Sequence, residues 1–400
     1  MILLYFSLFF LIITIIFKTI INITIKNNQL KLNKNIKKDP KICVIIPARD
    51  ESKVIEELLN SLENQSYPLN KDNIYVIVEN ESDKTVAITK KYCMQYFVRK
   101  ELTKKTKGYA IDELIKHLDK KKEYYDLYFI FDADNVLDKN FIINILNDYY
   151  KGYYISTGFR GLKNPHHYLT LSSWLTFSIL NDTHNTKLQK HNGNLILSGT
   201  GYFIEGSIIN NFHSFPFTSL TEDYESSLYY TLKSLSTNYN KDAIFYDEQP
   251  TKYLVSIKQR ARWIKGYFKN YFLFFPKLFH KLISKPINKG SVIEMMLGII
   301  PLITFILFLV FLLLYTLLKS RVLFIIELLI IYLALLLLTI ILIYKNKKYI
   351  ISSNKVIIKT IFYHPIYLIS YIHSLLYLII NSNLGWDKIE HNNNLTKKKN

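Results

Sequence analysis

Two aspartates in the middle of the chain, Asp132 and Asp134, have the residue type and spacing to hold a metal ion. They lie in the motif FDAD, directly after an apolar run that predicts a β-strand. Both carboxylates can point toward one Mg²⁺ or Mn²⁺, a cation that prefers oxygen ligands and commonly bridges substrate phosphates. A metal at this position would neutralise the charge of a departing diphosphate. The alternative is an ordinary strand-end turn, where aspartate is common.

A second acidic group follows in the motif TEDYE, which contains Glu222, Asp223 and Glu225. A carboxylate here can act as the base that takes the proton from an attacking hydroxyl group. The alternative is the acidic first turn of a helix, with Thr221 as its N-cap. The two interpretations are compatible, because such a cap could aim Asp223 into a cleft.

The motif QRARW combines basic and aromatic side chains. The guanidinium of Arg262 can bind a diphosphate in bidentate fashion, and the indole of Trp263 can stack on the apolar face of a sugar ring. The alternative is a basic helix at a membrane surface, where Arg and Trp are both common. The motif SGTG, with Gly199 and Thr200, supplies a small backbone that a ligand can approach closely.

An alternation of strands and helices must position these motifs. From Lys41 onward, strands are predicted at KICVIIPA, NIYVIVEN and LYFIFDAD, and helices at VIEELLNSLENQ, KTVAITKKYCMQYF and GYAIDELIKHLDK. Strands that alternate with helices of this length predict a parallel sheet, whose ligands bind beyond the carboxyl ends of the strands. FDAD stands at such an end.

Both ends of the chain have the composition of membrane segments. Residues 1–24 predict an uncleaved transmembrane anchor, and 25–40 a basic linker that the positive-inside rule places in the cytoplasm. Residues 291–382 predict two to three further spans, the third being interrupted by Lys359, His364 and Pro365. Residues 267–290 predict an interfacial amphipathic segment, with a core-packing helix as the alternative. A polar, basic tail occupies 383–400, and its side of the membrane stays open.

Composition excludes several other classes of protein. The 400-residue chain carries 51 Lys and Arg against 32 Asp and Glu, a net charge of +19, yet no nucleic-acid recognition motif appears. We therefore expect no nucleic-acid partner. The two cysteines, Cys43 and Cys93, cannot build a disulfide framework, and Cys43 has the pattern of a core residue.

The order of the motifs from Lys41 to Tyr267 resembles the membrane-bound family 2 glycosyltransferases, similar to cellulose, hyaluronan and poly-N-acetylglucosamine synthases. The resemblance implies a GT-A-type, Rossmann-like α/β domain over residues 41–266, flanked by N- and C-terminal transmembrane helices. It implies Mg²⁺ or Mn²⁺ as cofactor, with Asp132 facing the nucleotide diphosphate and Asp134 as the metal ligand proper.

The same resemblance implies roles for further residues. The segment IPARDE would contact the nucleotide base, and Glu79 occupies a position where the family has an aspartate that contacts uracil. Lys107 would contact the diphosphate, in a segment where Asp112 replaces the usual asparagine. Asp223 would be the catalytic base. The expected donor-binding residues are Pro47, Ala48, Arg49, Glu51, Glu79, Lys107 and Asp132, and the expected acceptor and pyrophosphate residues are Gly199, Thr200, Glu222, Gln259, Arg262 and Trp263.

The expected function is inverting transfer of a sugar from a nucleotide diphosphate sugar, a UDP-sugar by this resemblance, to a growing polysaccharide or glycan. Transfer of a single sugar to a membrane lipid, such as a polyprenyl phosphate or a glycolipid precursor, is the alternative. A non-catalytic sugar-binding protein is disfavoured because the acidic and QRARW motifs are all retained. The expected setting is the plasma membrane with the catalytic domain in the cytoplasm, and export of a long polymer would require a homodimer or an export subunit.

Overall fold

The computed structural model describes residues 1–24, 30–381 and 385. Their core is one sheet with the strand order β3-β2-β1-β4-β7-β6-β8-β5. The strands are β1 (Ile42–Pro47), β2 (Ile74–Val78), β3 (Gln95–Val98), β4 (Leu127–Ile130), β5 (Val136–Leu137), β6 (Ile155–Leu162), β7 (Tyr202–Glu205) and β8 (Thr237–Asp247).

The first half of the sheet, β3-β2-β1-β4, is parallel, as the sequence predicts. Apolar strands covered on both faces form its centre, which explains why their hydrophobic runs are nearly continuous. The covering helices are α2 (Ile55–Glu63), α3 (Lys84–Lys91), α4 (Lys107–Lys120) and α5 (Phe141–Tyr150). The prediction of one helix through KTVAITKKYCMQYF is wrong at its end. The helix stops at Lys91, Cys93 takes a φ of +56°, and QYFV forms the edge strand β3.

The second half of the sheet, which contains none of the three predicted strands, is mixed. β7 pairs antiparallel with both β4 and β6, and β5 pairs antiparallel with β8. The mixed arrangement carries SGTG, immediately before β7, to the carboxyl end of β4. The segments that connect these strands contain α6 (Tyr168–Ser178), a π-helix (Ile179–Asn185), α7 (Thr186–Lys190), α8 (Gly206–Phe212) and α9 (Glu222–Lys233).

Residues 267–283 of the predicted interfacial segment belong to a longer helix, α10 (Tyr253–Ile283), which runs without a break from QRARW. The rest of the segment, up to residue 290, lies outside this helix. One face of this helix packs on the domain, as in the core-packing alternative, and the opposite face is exposed and apolar. Asn270, Phe274 and Leu278 are buried against the domain, whereas Phe272, Leu273, Phe279 and Ile283 are exposed. The helix therefore joins the catalytic domain to an apolar surface.

Four helices in the described part of the chain are long and apolar enough to cross a membrane. They are α1 (Ile2–Thr24), α12 (Ile300–Lys319) together with the preceding α11 (Lys289–Leu297), α13 (Arg321–Lys345) and α14 (Asn354–Ile380). α1 runs against α11 and α12, with a Thr14–Thr304 hydroxyl pair at 2.9 Å and a Lys18–Glu294 ion pair at 3.2 Å. Most of the basic tail and residues 25–29 of the linker lie outside the described residues.

The third C-terminal helix, α14, uses its polar side to pack on the domain. Arg260 of α10 is buried, donates to the Tyr367 carbonyl and the Ser370 hydroxyl, and lies over the rings of Tyr367 and Tyr371. Tyr367, Ser370 and Tyr371 of α14 therefore lie against α10 and satisfy a buried guanidinium.

Candidate functional site

Lys107 stands at the centre of the candidate site. It is the first residue of α4, whose N-cap Thr106 accepts a hydrogen bond from the Tyr109 amide. The Lys107 ammonium donates to Asp132 Oδ1 and to the Gly199 carbonyl, both at 2.6 Å, and lies 3.7 Å from Glu222 Oε1. One side chain thus links residues predicted separately from the FDAD, SGTG and TED motifs.

Three carboxylates form an acidic cluster at the end of β4. Ligand oxygens of Asp132, Asp134 and Asp247 all lie within 4.8 Å of one another. Asn135 donates to Asp247 at 2.9 Å and to Asp134 at 3.2 Å, which fixes the spacing of the carboxylates. Hard oxygen donors in this number suit Mg²⁺ or Mn²⁺. The residues present therefore fit the expected metal.

Sequence reasoning missed Asp247, the last residue of β8. Its signal is the same as that of FDAD, an acid that follows an apolar strand, but a single acid at a strand end is too common to single out. Only the position of β8 in the sheet brings it to Asp132.

The SGTG loop bends sharply around Lys107. Gly199 and Gly201 have φ of +90° and +69°, a region that glycine adopts without strain. The Thr200 hydroxyl accepts a hydrogen bond from the Asp132 amide at 2.8 Å, so that the loop and FDAD hold each other in place. A Cβ atom on Gly199 would lie 3.7 Å from Asp223 Oδ2, which places the predicted base directly beside the loop.

Burial raises the pKa of both acids of TED. The pKa of Glu222 rises to about 8, because desolvation and the neighbouring Asp223 charge outweigh the Lys107 ammonium. The 3.7 Å separation from Lys107 is too long for a hydrogen bond, which agrees with a protonated Glu222 near neutral pH. Burial also raises the pKa of Asp223, but the Tyr224 amide, Lys107 and Arg160 oppose this effect. Burial lowers the pKa of Lys107, but the nearby acids, above all Asp132, raise it by more, so that Lys107 stays charged.

Aromatic rings connect QRARW to this cluster. Trp263 packs edge-to-face on Phe177 of α6 at 5.4 Å, and the Phe177 ring in turn lies 4.4 Å from the guanidinium of Arg160. Arg160, on β6, pairs with Asp247 at 3.1 Å and also donates to the Ser198 carbonyl. Gln259 and Arg262 are half-buried on the same helix as Trp263. Sequence reasoning missed Arg160, because a lone arginine in a strand carries no motif.

α10 also holds the TED segment in position. A Cβ on Gly266 would lie 2.6 Å from Thr221, and the Asn270 amide donates to the Ser219 hydroxyl and to both oxygens of Thr221. Thr221 is the N-cap residue of α9, as predicted, but its side chain makes no capping hydrogen bond. The prediction that the Thr221 side chain caps the helix is therefore wrong. That side chain instead contacts α10.

The residues expected at the nucleotide base lie at the carboxyl ends of β1 and β2. The Ala48 amide donates to the Ile77 carbonyl at 2.8 Å, which brings Pro47 and Ala48 beside the end of β2. Arg49 pairs with Glu79 at 3.1 Å. Arg99, which sequence reasoning did not identify, lies 3.8 Å from Glu79 on its other side and is held by Glu113. The Glu51 amide donates to the Thr85 hydroxyl.

Comparison with known proteins assigns the fold and the family. A family model described as "Glycosyltransferase like family 2" matches residues 40–266, more than half of the chain. The chain belongs to this family. The expected family 2 glycosyltransferase domain and its GT-A-type α/β fold are thereby confirmed, whereas the narrower likeness to cellulose and hyaluronan synthases stays an expectation.

Individual relatives align with different shares of the chain. The probable glycosyltransferase YdaM of Bacillus subtilis (strain 168) is 26% identical over 259 residues, which are 61% of this chain and 59% of the relative's length. The mannosyltransferase PcManGT of Pyrobaculum calidifontis, solved with GDP-Man and Mn²⁺, aligns over 94% of this chain and 99% of its own at 14% identity, with a TM-score of 0.56. TarS 1-349 of S. aureus, solved with UDP-GlcNAc, aligns over 64% and 70% at 16% identity, with a TM-score of 0.42.

Proposed function

We propose that this family 2 protein is an inverting membrane glycosyltransferase that moves a sugar from a UDP-sugar to a growing glycan. One observation carries the proposal: Lys107 touches Asp132 and Gly199 and approaches Glu222, while Asp223 lies directly beyond Gly199. A cation, a group of carboxylates and the predicted base thus lie next to one another.

Each group has a role in this proposal. Asp223 accepts the proton of the acceptor hydroxyl as its oxygen attacks the anomeric carbon from the face opposite the diphosphate, which inverts the configuration. Asp132, Asp134 and Asp247 would hold Mg²⁺ or Mn²⁺, which when bound neutralises charge on the leaving diphosphate. The Lys107 ammonium and the Arg262 guanidinium supply further positive charge to the phosphates. Trp263 and Phe177 offer apolar ring surface to a sugar.

The nucleotide base would bind between β1 and β2, at Pro47, Ala48, Arg49, Glu51 and Glu79. Glu79 offers a carboxylate that can accept the N3–H donor of uracil, which is the reason to propose UDP. PcManGT binds GDP-Man, so a guanine nucleotide is the rival donor that an assay must include.

The four apolar helices support placement in the plasma membrane with the catalytic domain in the cytoplasm. Lys31, Lys34, Lys37, Lys38 and Lys41 follow α1 directly and have the charge expected on the cytoplasmic side.

Transfer to a membrane lipid is a second candidate, which the position of QRARW favours. Trp263 lies on the same helix as the exposed Phe272, Leu273 and Phe279, so that an acceptor could reach the site from the bilayer. The polar side of α14 is packed against Arg260, which leaves few polar surfaces to line a path for a long glycan.

One assay separates these possibilities. Purified full-length protein is incubated with UDP- and GDP-sugars, a membrane extract and Mn²⁺, and the labelled product is extracted into organic solvent and sized. Polymer from a UDP-sugar supports the proposal, whereas a single labelled lipid supports the second candidate. Absence of transfer from every donor, or equal transfer by the Asp223→Asn variant, would contradict both.

A further inference from the structure

A groove of about 340 Å³ lies between α13, α14 and the turn that connects them. Its volume is within the range of about 300–1,000 Å³ that is typical of small-molecule sites. Tyr344 and Lys347 are the polar residues that line it. The other walls are isoleucines: Ile340, Ile343, Ile350, Ile357 and Ile361. None of the residues that line the groove belongs to the catalytic cluster.

The position of the groove exposes it to the bilayer. α13 and α14 are both long and apolar enough to cross a membrane, and Ile340 and Tyr344 remain exposed on the surface of α13. Tyr344 is 79% exposed at the end of that helix, the position at which tyrosine is enriched at membrane–water interfaces. The walls therefore suit a hydrocarbon chain, and the Lys347 end lies at the level of lipid head groups.

The turn beside the groove is strongly basic. Lys345, Lys347, Lys348, Lys355 and Lys359 lie within or next to it, and the sequence contains no Asp or Glu between Glu327 and Asp387. Of these lysines, Lys345 is engaged by Asp182 of the catalytic domain and donates to Thr183. Within the described residues, no carboxylate lies at ion-pair distance from the Lys347 ammonium.

The turn is also fixed on the catalytic domain, and so lies on its side of the membrane. The Tyr349 ring stacks on Phe159 at 4.0 Å, and the Ser352 hydroxyl donates to the Pro165 carbonyl at 2.7 Å. A cytoplasmic leaflet carries anionic lipids, which attract lysines near its surface.

We propose that this groove binds one anionic phospholipid, with an acyl chain between α13 and α14 and the phosphate on Lys347. Hydrophobic walls alone would accept any lipid, so the lysine-rich end is what selects for negative charge. The site would hold the catalytic domain against anionic membrane, independently of the transfer reaction.

Native mass spectrometry of the full-length protein in detergent tests this proposal. Phosphatidylglycerol and phosphatidylcholine with identical acyl chains are added in parallel, and bound lipid is counted. We expect preferential binding of phosphatidylglycerol, reduced about fivefold by Lys347→Gln, the effect typical of one lysine near an anionic surface. Ile340→Trp, which fills the groove without changing charge, should reduce binding of both lipids.

Lys319→Gln is the matched control, since Lys319 also ends a membrane helix but lies at the α12–α13 turn. It should bind phosphatidylglycerol like the unmodified protein, and thermal unfolding of each variant in detergent shows that it is folded. Three results would each overturn the proposal. They are equal binding of the two lipids, equal losses of phosphatidylglycerol binding in Lys347→Gln and Lys319→Gln, and displacement of the lipid by inorganic phosphate. Because the measurement counts lipid, its result does not depend on glycosyltransferase activity.

Discussion

Burial decides which of the two neighbouring acids in TED can take a proton from the acceptor. Glu222, with a pKa of about 8, keeps its own proton near neutral pH. Asp223 has a raised pKa too, but the Tyr224 amide and two cations oppose the rise. Two close carboxylates do not both ionise readily. A protonated Glu222 therefore leaves the negative charge on Asp223, which agrees with the role proposed for it.

We expect Asp223→Asn to lower kcat by at least about a hundredfold, the loss typical of a missing general base, with donor affinity nearly unchanged. Glu222→Gln is the matched control: it replaces a protonated carboxyl by a neutral group of the same shape, so that its loss at pH 7 should be much smaller. Steady-state kinetics and nucleotide titration give both quantities. The raised pKa of Asp223 also predicts a pH dependence. As the pH decreases, Asp223 should take up a proton, and activity should fall, at a higher pH than an ordinary aspartate would give. If binding and turnover fall together in Asp223→Asn, the residue is structural.

The third carboxylate of the cluster leads to a prediction about metal affinity. We expect EDTA to abolish transfer, Mn²⁺ or Mg²⁺ to restore it, and Asp134→Ala to remove it without unfolding the protein. Asp247→Asn should raise the metal concentration for half-maximal activity about tenfold or more, in the range seen when metal-site residues are lost. Asp242→Asn changes an exposed acid on the same strand and should have no effect. Full activity in chelator would exclude a role for the metal. Equal metal dependence of Asp247→Asn and Asp242→Asn would show that Asp247 is not part of the metal site.

Local spacing revealed the residues whose partners are close in sequence. Asp132 and Asp134 are one residue apart, and TED and QRARW are short motifs, so that each could be predicted from the chain alone. Asp247 and Arg160 act through contacts with each other and with FDAD and SGTG. Such contacts depend on the order of strands in the sheet, which no local pattern specifies.

At the scale of elements, α10 connects the catalytic site to the apolar surface. Its first half carries QRARW, and its last turns expose Phe279 and Ile283. In its middle, Gly266 and Asn270 contact Thr221 and hold that residue in place. The Tyr267 ring stacks on Tyr224 of α9 at 4.4 Å, directly after the proposed base. A change in the position of α10 would therefore move Asp223.

We predict that Asn270→Ala lowers kcat by about 10–100-fold with little change in KM for the donor, because a small displacement of a catalytic group is costly. Asn288→Ala provides the matched control. Asn288 is equally buried and makes hydrogen bonds of the same kind to Thr231 and Ser234, at the opposite end of α9. Each variant should lose about 1–3 kcal/mol of stability, measured by thermal unfolding. Equal losses of kcat in both would mean that Asn270 acts on stability alone.

The sequence predicted elements well where one pattern ran through a whole segment. β1, β2, β4 and α4 are continuous apolar or amphipathic runs and lie where expected. The short edge strand β3 follows α3 after only three residues, and the turn at Cys93 needs a positive φ that its residue type does not announce. The reversed direction of β7 arises from pairing with β4 and β6, which are distant in sequence.

At the scale of the whole molecule, hydropathy identifies the apolar helices but leaves the role of α14 open. Its mean hydropathy of 1.3 is far below the 3.0 of α13, and more of it is buried inside the protein. Contacts with Arg260 account for the buried Tyr367 and Ser370, and Tyr363 packs edge-to-face on Tyr168 of α6. Packing of this kind involves residues more than a hundred positions apart, beyond the reach of any window along the sequence.

We expect the exposed thiol of Cys93, on the catalytic domain, and the α12–α13 turn to lie on opposite sides of the membrane. α11 packs against α9 of the domain, and α12 then leads away over 20 residues, a length of about 30 Å that matches the hydrocarbon core of a bilayer. A membrane-impermeant maleimide should therefore label Cys93 only after cells are permeabilised. In a Cys93→Ser background it should label Ser320→Cys in intact cells, whereas the buried Cys43 stays unlabelled.

Two results of this labelling would contradict the proposed arrangement, each in a different way. Labelling of Cys93 in intact cells would place the catalytic domain outside, away from the cytoplasmic nucleotide sugars that it is proposed to use. Protection of Ser320→Cys until permeabilisation would put both sites on one side, so that α12 and α13 would enter the membrane without crossing it. That outcome is energetically costly because of the apolar length of both helices. The charged Lys319–Ser320–Arg321 turn would lie within the hydrocarbon core, unless the helices bent back toward the surface at which they enter.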